Sequence, residues 1–379
     1  MPTMSLIFNI SRDDFLTGLA SLQNVTGKKG NIAILSNILI ESKTDSLLLT
    51  ATDLEIGIRN SLPAEILSPG SITLPAKKLF EIVRESGADH IHVEILENNW
   101  AKISADSTDY KLAGMPSDEY PAFPEYDENL LASLPSDRIK EIIDKTIFSV
   151  AQEGESQFNL TGILVEKDVA DGKNMLRMVS SDGHRLSLCE TTVESDLSGL
   201  KMDKIILIPR KGMQEIRKFA EAAAEIKIAF EEKQAVIKTD HSIIIVRLMN
   251  GDFPDYKNII NMIKKEKNIE LNRQRFMNSM KKMNLFTEDR YNAVQFQIKP
   301  NKLILSSQSM DIGSAKDEIE INYDDSPLKL GFNGKYFIET MQVMSSDTIK
   351  AYINSEESPC MIQGDDDPGF FSIIMPMKI

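Results

Sequence analysis

The chain has 379 residues, 42% hydrophobic and 26% charged, which fits two or three folded domains and excludes a disordered polypeptide. Two cysteines, Cys189 and Cys360, exclude a disulfide framework and suit a reducing cytoplasm; no run approaches the roughly 18 apolar residues of a membrane helix, and the N-terminus lacks a secretory pattern. A net charge of −14 argues against a polyanion partner on average, since nonspecific DNA binding rests on Lys and Arg, but it says nothing of how charge is distributed.

In chain order, Phe15, Leu19 and Leu22 recur at spacings of three and four and predict an amphipathic helix over 11–25, with Ser11 as N-cap. A strand ends in Leu49-Thr-Ala-Thr-Asp53. A second helix starts at Pro75, where a first turn tolerates proline, and continues through Lys77 and Lys78. A strand pair then turns at Glu97-Asn98-Asn99, and a last strand leads to Met115. After the proline-bearing stretch 117–124 the order repeats. Ile139, Ile142, Ile143 and Ile147 predict a helix over 136–150, with Ser136 as N-cap. Met178-Val-Ser-Ser-Asp182 ends a strand, Pro209 opens a helix, Glu231-Glu232-Lys233 is a turn, and a strand leads to Met249. A second linker, 250–256, precedes a third copy: a helix over 272–286 with Phe276, Met280 and Met283 inward, the strand end Leu305-Ser-Ser-Gln-Ser309, a helix from Asn333, a turn at Ser355-Glu356-Glu357, and a strand leading to Met375. One unit of two helices and several strands thus occurs three times. Short polar turns favour antiparallel sheets with one covered face, an α+β class, and the joins divide the chain into 1–128, 129–254 and 255–379.

Charge is segregated. The six predicted helices carry twice as many Lys and Arg as Asp and Glu, so the rest of the chain is more acidic than its mean. Helices gathered on one surface would offer a polyanion a sequence-independent, salt-sensitive contact. Ordinary solvated helices also carry such residues, and charge alone leaves both readings open.

Three segments carry a family resemblance. Ser181-Asp182-Gly183-His184-Arg185-Leu186 is similar to the DGHRL motif at a strand end in the bacterial DNA polymerase III beta subunit, the sliding clamp. Gly251-Asp252-Phe253-Pro254-Asp255-Tyr256 resembles that family's linker, and Ile374-Met375-Pro376-Met377-Lys378-Ile379 resembles its C-terminus. Thr52-Asp53-Leu54-Glu55 and Leu74-Pro75-Ala76-Lys77-Lys78 are weaker matches, and the likeness runs from about Ser5 to Ile379. It implies three clamp-type domains per chain, a head-to-tail homodimer ring around double-stranded DNA, and a non-catalytic subunit that tethers DNA polymerase. No cofactor or metal is implied. It also implies a pocket for short QLxLF-like peptides of the polymerase, clamp loader and repair proteins, formed by Leu160, Ser181, Gly183, His184, Arg185, Leu186, Pro254, Ile259, Ile373, Met375, Pro376 and Met377. Adaptable Met and Ile side chains suit several ligands; Gly183 is expected to admit a backbone, and Arg185 to offer charge at the rim. For DNA the family's basic positions suggest Lys29, Lys77 and Arg84, and the charge count adds Lys211, Arg217, Arg275 and Lys282. The segment 151–159 departs from the family's aromatic and basic loop, leaving Gln152 and Phe158 as its expected contacts. Arg84 and Lys102 facing Asp317, Glu318 and Glu320 are the expected dimer pairs.

Two other classes compete. His184 beside Asp182 would serve acid–base chemistry, but neither a nucleophile motif nor a Gly-rich phosphate loop accompanies it; His90 and His92 share a strand face without a third ligand at suitable spacing. A repeat-built scaffold that binds proteins without encircling DNA is the alternative function.

Overall fold

The computed structural model describes residues 6–27, 32–152, 154, 160–170, 172–195, 197, 200, 202, 204–266, 268–287 and 292–378. The first segment runs β1 (Ile7–Ser11), α1 (Arg12–Leu22), β2 (Asn37–Ser42), β3 (Ser46–Thr52), β4 (Ile56–Pro63), β5 (Glu65–Ser68), β6 (Ser71–Pro75), α2 (Ala76–Glu85), β7 (His90–Ile95), β8 (Trp100–Ala105) and β9 (Thr108–Ala113). The second runs β10 (Ala132–Pro135), α3 (Ser136–Asp144), β11 (Gly162–Ala170), β12 (Lys173–Ser181), β13 (Arg185–Val193), β14 (Ile206–Pro209), α4 (Arg210–Glu221), β15 (Glu225–Phe230), β16 (Gln234–Lys238) and β17 (Ser242–Arg247). A short α5 (Tyr256–Asn261) precedes the third: β18 (Ile269–Asn272), α6 (Arg273–Asn284), β19 (Ala293–Lys299), β20 (Lys302–Ser309), β21 (Gly313–Glu320), β22 (Leu328–Asn333), α7 (Gly334–Gln342), β23 (Thr348–Tyr352), β24 (Cys360–Gly364) and β25 (Phe370–Ile374). The α+β class and the threefold order of elements expected from the sequence are present.

The strands form four sheets, ordered β5-β1-β7-β8-β9, β10-β15-β16-β17-β4-β3-β2-β6, β14-β11-β12-β13-β25-β24-β23-β18 and β21-β20-β19-β22. Each eight-stranded sheet is therefore two four-stranded halves from successive segments, joined at β17–β4 and at β13–β25. Through these joins the three repeats gather into two compact units: Met1–Leu134 with Ser198–Lys201 and Lys218–Leu248, and Pro135–Leu197 with Met202–Arg217 and Met249–Ile379. The central copy is shared between them, because backbone hydrogen bonds run through each join as they do within a sheet. Among the described residues no helix is long and apolar enough to cross a membrane.

Local chemistry explains the helix ends. Ser11 and Asn272 cap α1 and α6 by accepting from the N–H of Asp14 and Arg275. Ser136 is not the cap expected of it: Pro135 holds that position, and the Ser136 hydroxyl is buried inside the first turn without a hydrogen-bond partner. The helix after it stops at Asp144, short of the expected 150, where Thr146 Oγ1 turns back onto the carbonyls of Ile142 and Ile143 at 2.6 and 3.3 Å. In the third copy Phe276, Phe296, Phe332 and Phe337 pack edge to face with centroids 5.1–6.1 Å apart. Each is fully buried, and together with their mutual contacts they contribute on the order of 10 kcal/mol of gross apolar stabilisation.

The repeated methionine needs one correction. Met115 bridges Thr73 on β6, and the Met249 N–H donates to Leu207 on β14. In the third copy the residue that returns to the matching strand is Met377, bridging Gly331 on β22, rather than Met375.

Candidate functional site

The Ser181–Leu186 motif is a turn between β12 and β13. Asp182 Oδ1 accepts from the N–H groups of His184 and Arg185 at 2.9 and 3.0 Å, and Ser181 Oγ donates to the Arg185 carbonyl at 2.7 Å. The first copy repeats this with Asp53, whose Oδ1 accepts from Glu55 and Ile56 at 3.0 and 2.7 Å. Gly183 sits here at φ +89°, the left-handed region, which Leu54 adopts at φ 75° in the equivalent turn. The turn conformation alone favours glycine here; within the chain an added Cβ would meet only Leu160 at 3.9 Å, so the outer side of the turn is open.

Strand alternation splits the motif's side chains between two faces. Leu186, Leu188 and Ile373 face outward and form one apolar cluster with Tyr256 and Ile263, flanked by half-buried Phe253, Ile259, Ile260 and Phe371. Arg185 turns the other way. Its guanidinium is buried, bonded to Asp182 at 2.9 Å, to Glu339 and to the Phe148 carbonyl, and stacked 4.4 Å from the Tyr336 ring centroid. The charge expected at the rim is absent because the strand's pleat points it at the helices.

Of the remaining pocket residues, Leu160 lies beside Gly183, exposed His184 accepts through its carbonyl from the Met375 N–H at 2.9 Å, and Pro254 accepts from the Tyr256 N–H at 2.7 Å. Met375 is 37% exposed; Pro376 and Met377 are half-buried, and Met377 is drawn toward β22. Leu188, Ile260 and Phe371 extend the same face, where with Arg177, Glu190, Tyr256, Lys257 and Asn261 they line a hollow of about 360 Å³. Period-two alternation from Leu186 and Ile373 would have found Leu188 and Phe371. The Tyr256 hydroxyl is pushed up from its ordinary pKa by burial and by its bond to Glu166, so it remains a neutral donor.

The cations divide by what already holds them. Lys29 lies outside the described residues, as does Phe158. Arg217 is paired with Asp144. Arg275 is bidentate to Asp317 at 2.7 and 2.8 Å, and that pairing, with burial opposing it and Ser279 assisting, holds the Asp317 carboxyl well below the usual range. Arg84 meets Glu85 at 2.9 Å, while Lys77 and Gln152 are exposed and Lys282 reaches Asp317 only at 3.7 Å. Lys211 stands in the first turn of α4. Two bases counted as positive helix surface serve otherwise. Arg12 donates to the carbonyls of Val83 and Arg84 at the end of α2, and Arg273 to that of Met341 in the last turn of α7 and that of Ser346 beyond it. The expected dimer pairs are likewise engaged within the chain: Lys102 with Asp109 at 3.1 Å, and Glu318 with Lys302 and Lys316 at 2.8 and 2.9 Å.

The joins between segments follow one rule. At the first, the Arg247 N–H donates to the Glu55 carbonyl at 2.8 Å and the Ser61 N–H to that of His241 at 2.8 Å. At the second, the Met375 N–H donates to His184 at 2.9 Å and the Glu190 N–H to Gly369 at 3.0 Å. Both joins pair the hairpin edge strand of one copy with the last strand of the next, in equivalent register. Among the described residues, the strands with those two roles that remain at sheet edges are β21 and β9.

Models of three domains of one family match in succession: the DNA polymerase III beta subunit N-terminal domain over 6–124, central domain over 133–255 and C-terminal domain over 263–378. The chain belongs to the DNA polymerase III beta subunit family. A beta sliding clamp of Chlamydia pneumoniae is 28% identical across 98% of this chain and 99% of its own, and that of Haemophilus influenzae 26% across 98% and 100%. Among solved structures, the Caulobacter crescentus sliding clamp superposes with a TM-score of 0.91 at 26% identity over 99% of this chain and 100% of that one. The Bartonella birtlesii clamp, solved with griselimycin bound, gives the same values. As a member of this sliding-clamp family the chain is a processivity subunit of DNA polymerase III and carries out no chemistry of its own. Its two cysteines are buried, and burial pushes the Cys189 thiol up to about 12, far from a reactive thiolate. His92 is tied to Asn9 at 2.7 Å, and the described residues contain no cluster of three or more groups disposed to hold a metal.

Proposed function

We propose that two copies of this chain, each with domains 1–128, 129–254 and 255–379, close head to tail into a cytoplasmic ring around duplex DNA and tether polymerase to it. The observation that carries this reading is the repeated join. Extending its register to the two remaining edge strands lets the partner's Ala113 N–H donate to the Ile312 carbonyl and the Glu318 N–H donate to the partner's Ser107 carbonyl. Gly313 then lies opposite the partner's Leu112, and Lys316 opposite the partner's Asp109. Independent support comes from the faces. Asp317, two and four residues past Ala315 and Gly313, turns to α6 through Arg275, while Leu112 is the buried residue of β9, so like faces meet. Two identical heterologous contacts close a ring rather than open a filament when the rotation fits.

Within the ring, exposed Lys77 and Lys282 are the strongest candidates for phosphate contact, followed by Lys211 and Gln152. Arg84, Arg217 and Arg275 would have to share a carboxylate partner, which weakens their claim. Such contacts carry no base information, and topology rather than affinity gives retention.

The decisive test uses Lys316→Cys with Asp109→Cys. After loading on closed circular DNA and oxidation, the protein should remain on the circle through detergent and leave once the DNA is linearised. Equal retention on circular and linear DNA, or failure to crosslink across two chains, would refute encirclement and favour a protein-binding scaffold.

The groove of Leu160, Gly183, His184, Leu186, Ile259, Ile373 and Met375, with Pro254, Pro376 and Met377 at its margins and Ser181 shaping its turn, would take an extended QLxLF-like peptide from polymerase, clamp loader or repair proteins. Met375→Asp should weaken binding of such a peptide at least about tenfold by anisotropy while leaving dimer mass unchanged. Unchanged affinity would move the site elsewhere.

A further inference from the structure

The two joins inside the chain are each covered on their outer face by a linker, and a join between two chains has no linker to cover it. At the first, Phe123 packs against Gly57 and beneath the Arg59 guanidinium at 4.2 Å, within a cluster that includes Tyr126, Leu130 and Ile245. Gln234 fastens that linker by donating to the Glu125 carbonyl at 2.8 Å. At the second, Phe253, Ile259 and Ile260 cover Leu186, Leu188 and Ile373.

By strand pairing, the residue that stands where Gln234 stands is Trp100. Gln234 pairs with Arg247 and Trp100 with Ala113, and Arg247 and Ala113 each lie two residues before the returning methionine. Trp100 is the chain's one tryptophan. It is 44% exposed at the edge of an outward hollow of about 490 Å³ lined with Leu96, Glu97 and Lys111. The turn before β21, Met310-Asp311-Ile312, has three residues like its counterparts but carries two exposed apolar side chains. Met310 is 95% exposed and Ile312 67%, whereas the equivalent turns place Glu55 and His184 before the strand.

We propose that Trp100 replaces the missing linker at the intersubunit join: the Met310–Ile312 tip of one copy lies over Ala113 and the indole of Trp100 of the other. The inference rests on the ring reading and its register, which sets Ile312 opposite the partner's Ala113, in the same row as Trp100. A ring holds two such contacts, each aromatic on one side and aliphatic on the other, a combination that favours desolvation at an interface centre.

Because Trp100 has no tryptophan background, its emission reports the contact directly. Dimer mass is followed by sedimentation and Trp100 by emission maximum and iodide quenching, in dimer and in monomer obtained by dilution or by Leu285→Asp. The expected result is a blue-shifted, poorly quenched indole in the dimer and an exposed one in the monomer. Ile312→Ser should leave the monomer spectrum unchanged, restore quenching in the dimer and raise its Kd about a hundredfold, roughly tenfold for each join. A dimer in which Trp100 quenches as in the monomer would overturn this contact alone. Absence of any dimer at micromolar concentration would overturn the ring and the contact together.

Discussion

Leu285→Asp is expected to convert the dimer into a folded monomer. Leu285 is 70% exposed in the single chain, so a carboxylate there meets water and leaves the fold intact. Its place at the proposed join follows from the repeat. Counted from the N-caps Pro135 and Asn272, Leu285 is the counterpart of Phe148, which lies against Arg185 where β13 meets β25. Neighbouring Phe286 stands beside Gly313 at the edge of β21. In the ring the new charge would be buried between Phe286 and the partner's Tyr110 and Leu112, at the C-terminal end of α6 where the helix dipole opposes it and Lys281 and Lys282 offset it only in part, at a cost of about 3 kcal/mol. Each ring has two such joins, so dissociation is favoured by about 6 kcal/mol, or roughly 10⁴-fold in Kd. Sedimentation at micromolar concentration should find the single-chain mass, and processive synthesis should fail while peptide binding persists. A variant that stays dimeric at nanomolar concentration would place the apolar residues outside the join.

Element order was legible because buried stripes repeat in each copy: Phe15, Leu19 and Leu22, then Ile139, Ile142 and Ile143, then Phe276, Met280 and Met283 are all buried in their helices. What pattern could not show was how the copies join. The pairing of β17 with β4 and of β13 with β25 is made by backbone groups, which every residue carries, so no side-chain signature marks it. The same gap hid the use of Arg12 and Arg273. Their position one residue after a cap looks like solvated helix surface, and only tertiary structure brings the open carbonyls of a neighbouring helix within reach.

Arg185 is a different failure. The alternation that assigned Leu186 outward also assigns Arg185 inward, and the family motif read as a block concealed it. A charge count helix by helix does not see pairing across the fold. Arg217 and Arg275 find carboxylates, Asp144 and Asp317, on elements distant in sequence, so the surface positive potential rests more on lysines than the tally implied.

Asp367→Asn is expected to cost about 3 kcal/mol of stability, read as a lower denaturant midpoint at unchanged slope. The carboxylate is buried at the turn before β25 and accepts from the Ser345 and Ser346 N–H groups at 2.9–3.1 Å and from the Ser346 hydroxyl at 2.7 Å; Lys145, beyond α3, reaches it at 3.0 Å. Burial alone would raise its pKa, but these donors outweigh it and hold the carboxyl below its ordinary value. Burial would likewise lower Lys145, yet Glu141 and Asp367 keep it raised. The signs give a pH window. The Asp367 contribution is complete above the unfolded carboxyl pKa of about 3.9 and is lost as pH falls through the lower folded value. The Lys145 contribution is complete below about 10.4 and is lost as pH rises through its higher folded value. Between those limits the pair adds no pH dependence. Replacement by asparagine leaves a buried ammonium with Glu141 alone and sets an amide among N–H donors that it can only partly satisfy. Lys145→Met should cost about half as much, because Asp367 keeps its backbone and hydroxyl donors. Equal losses in the two variants would mean that the ion pair, rather than the N–H cradle, dominates this end of the β13–β25 join.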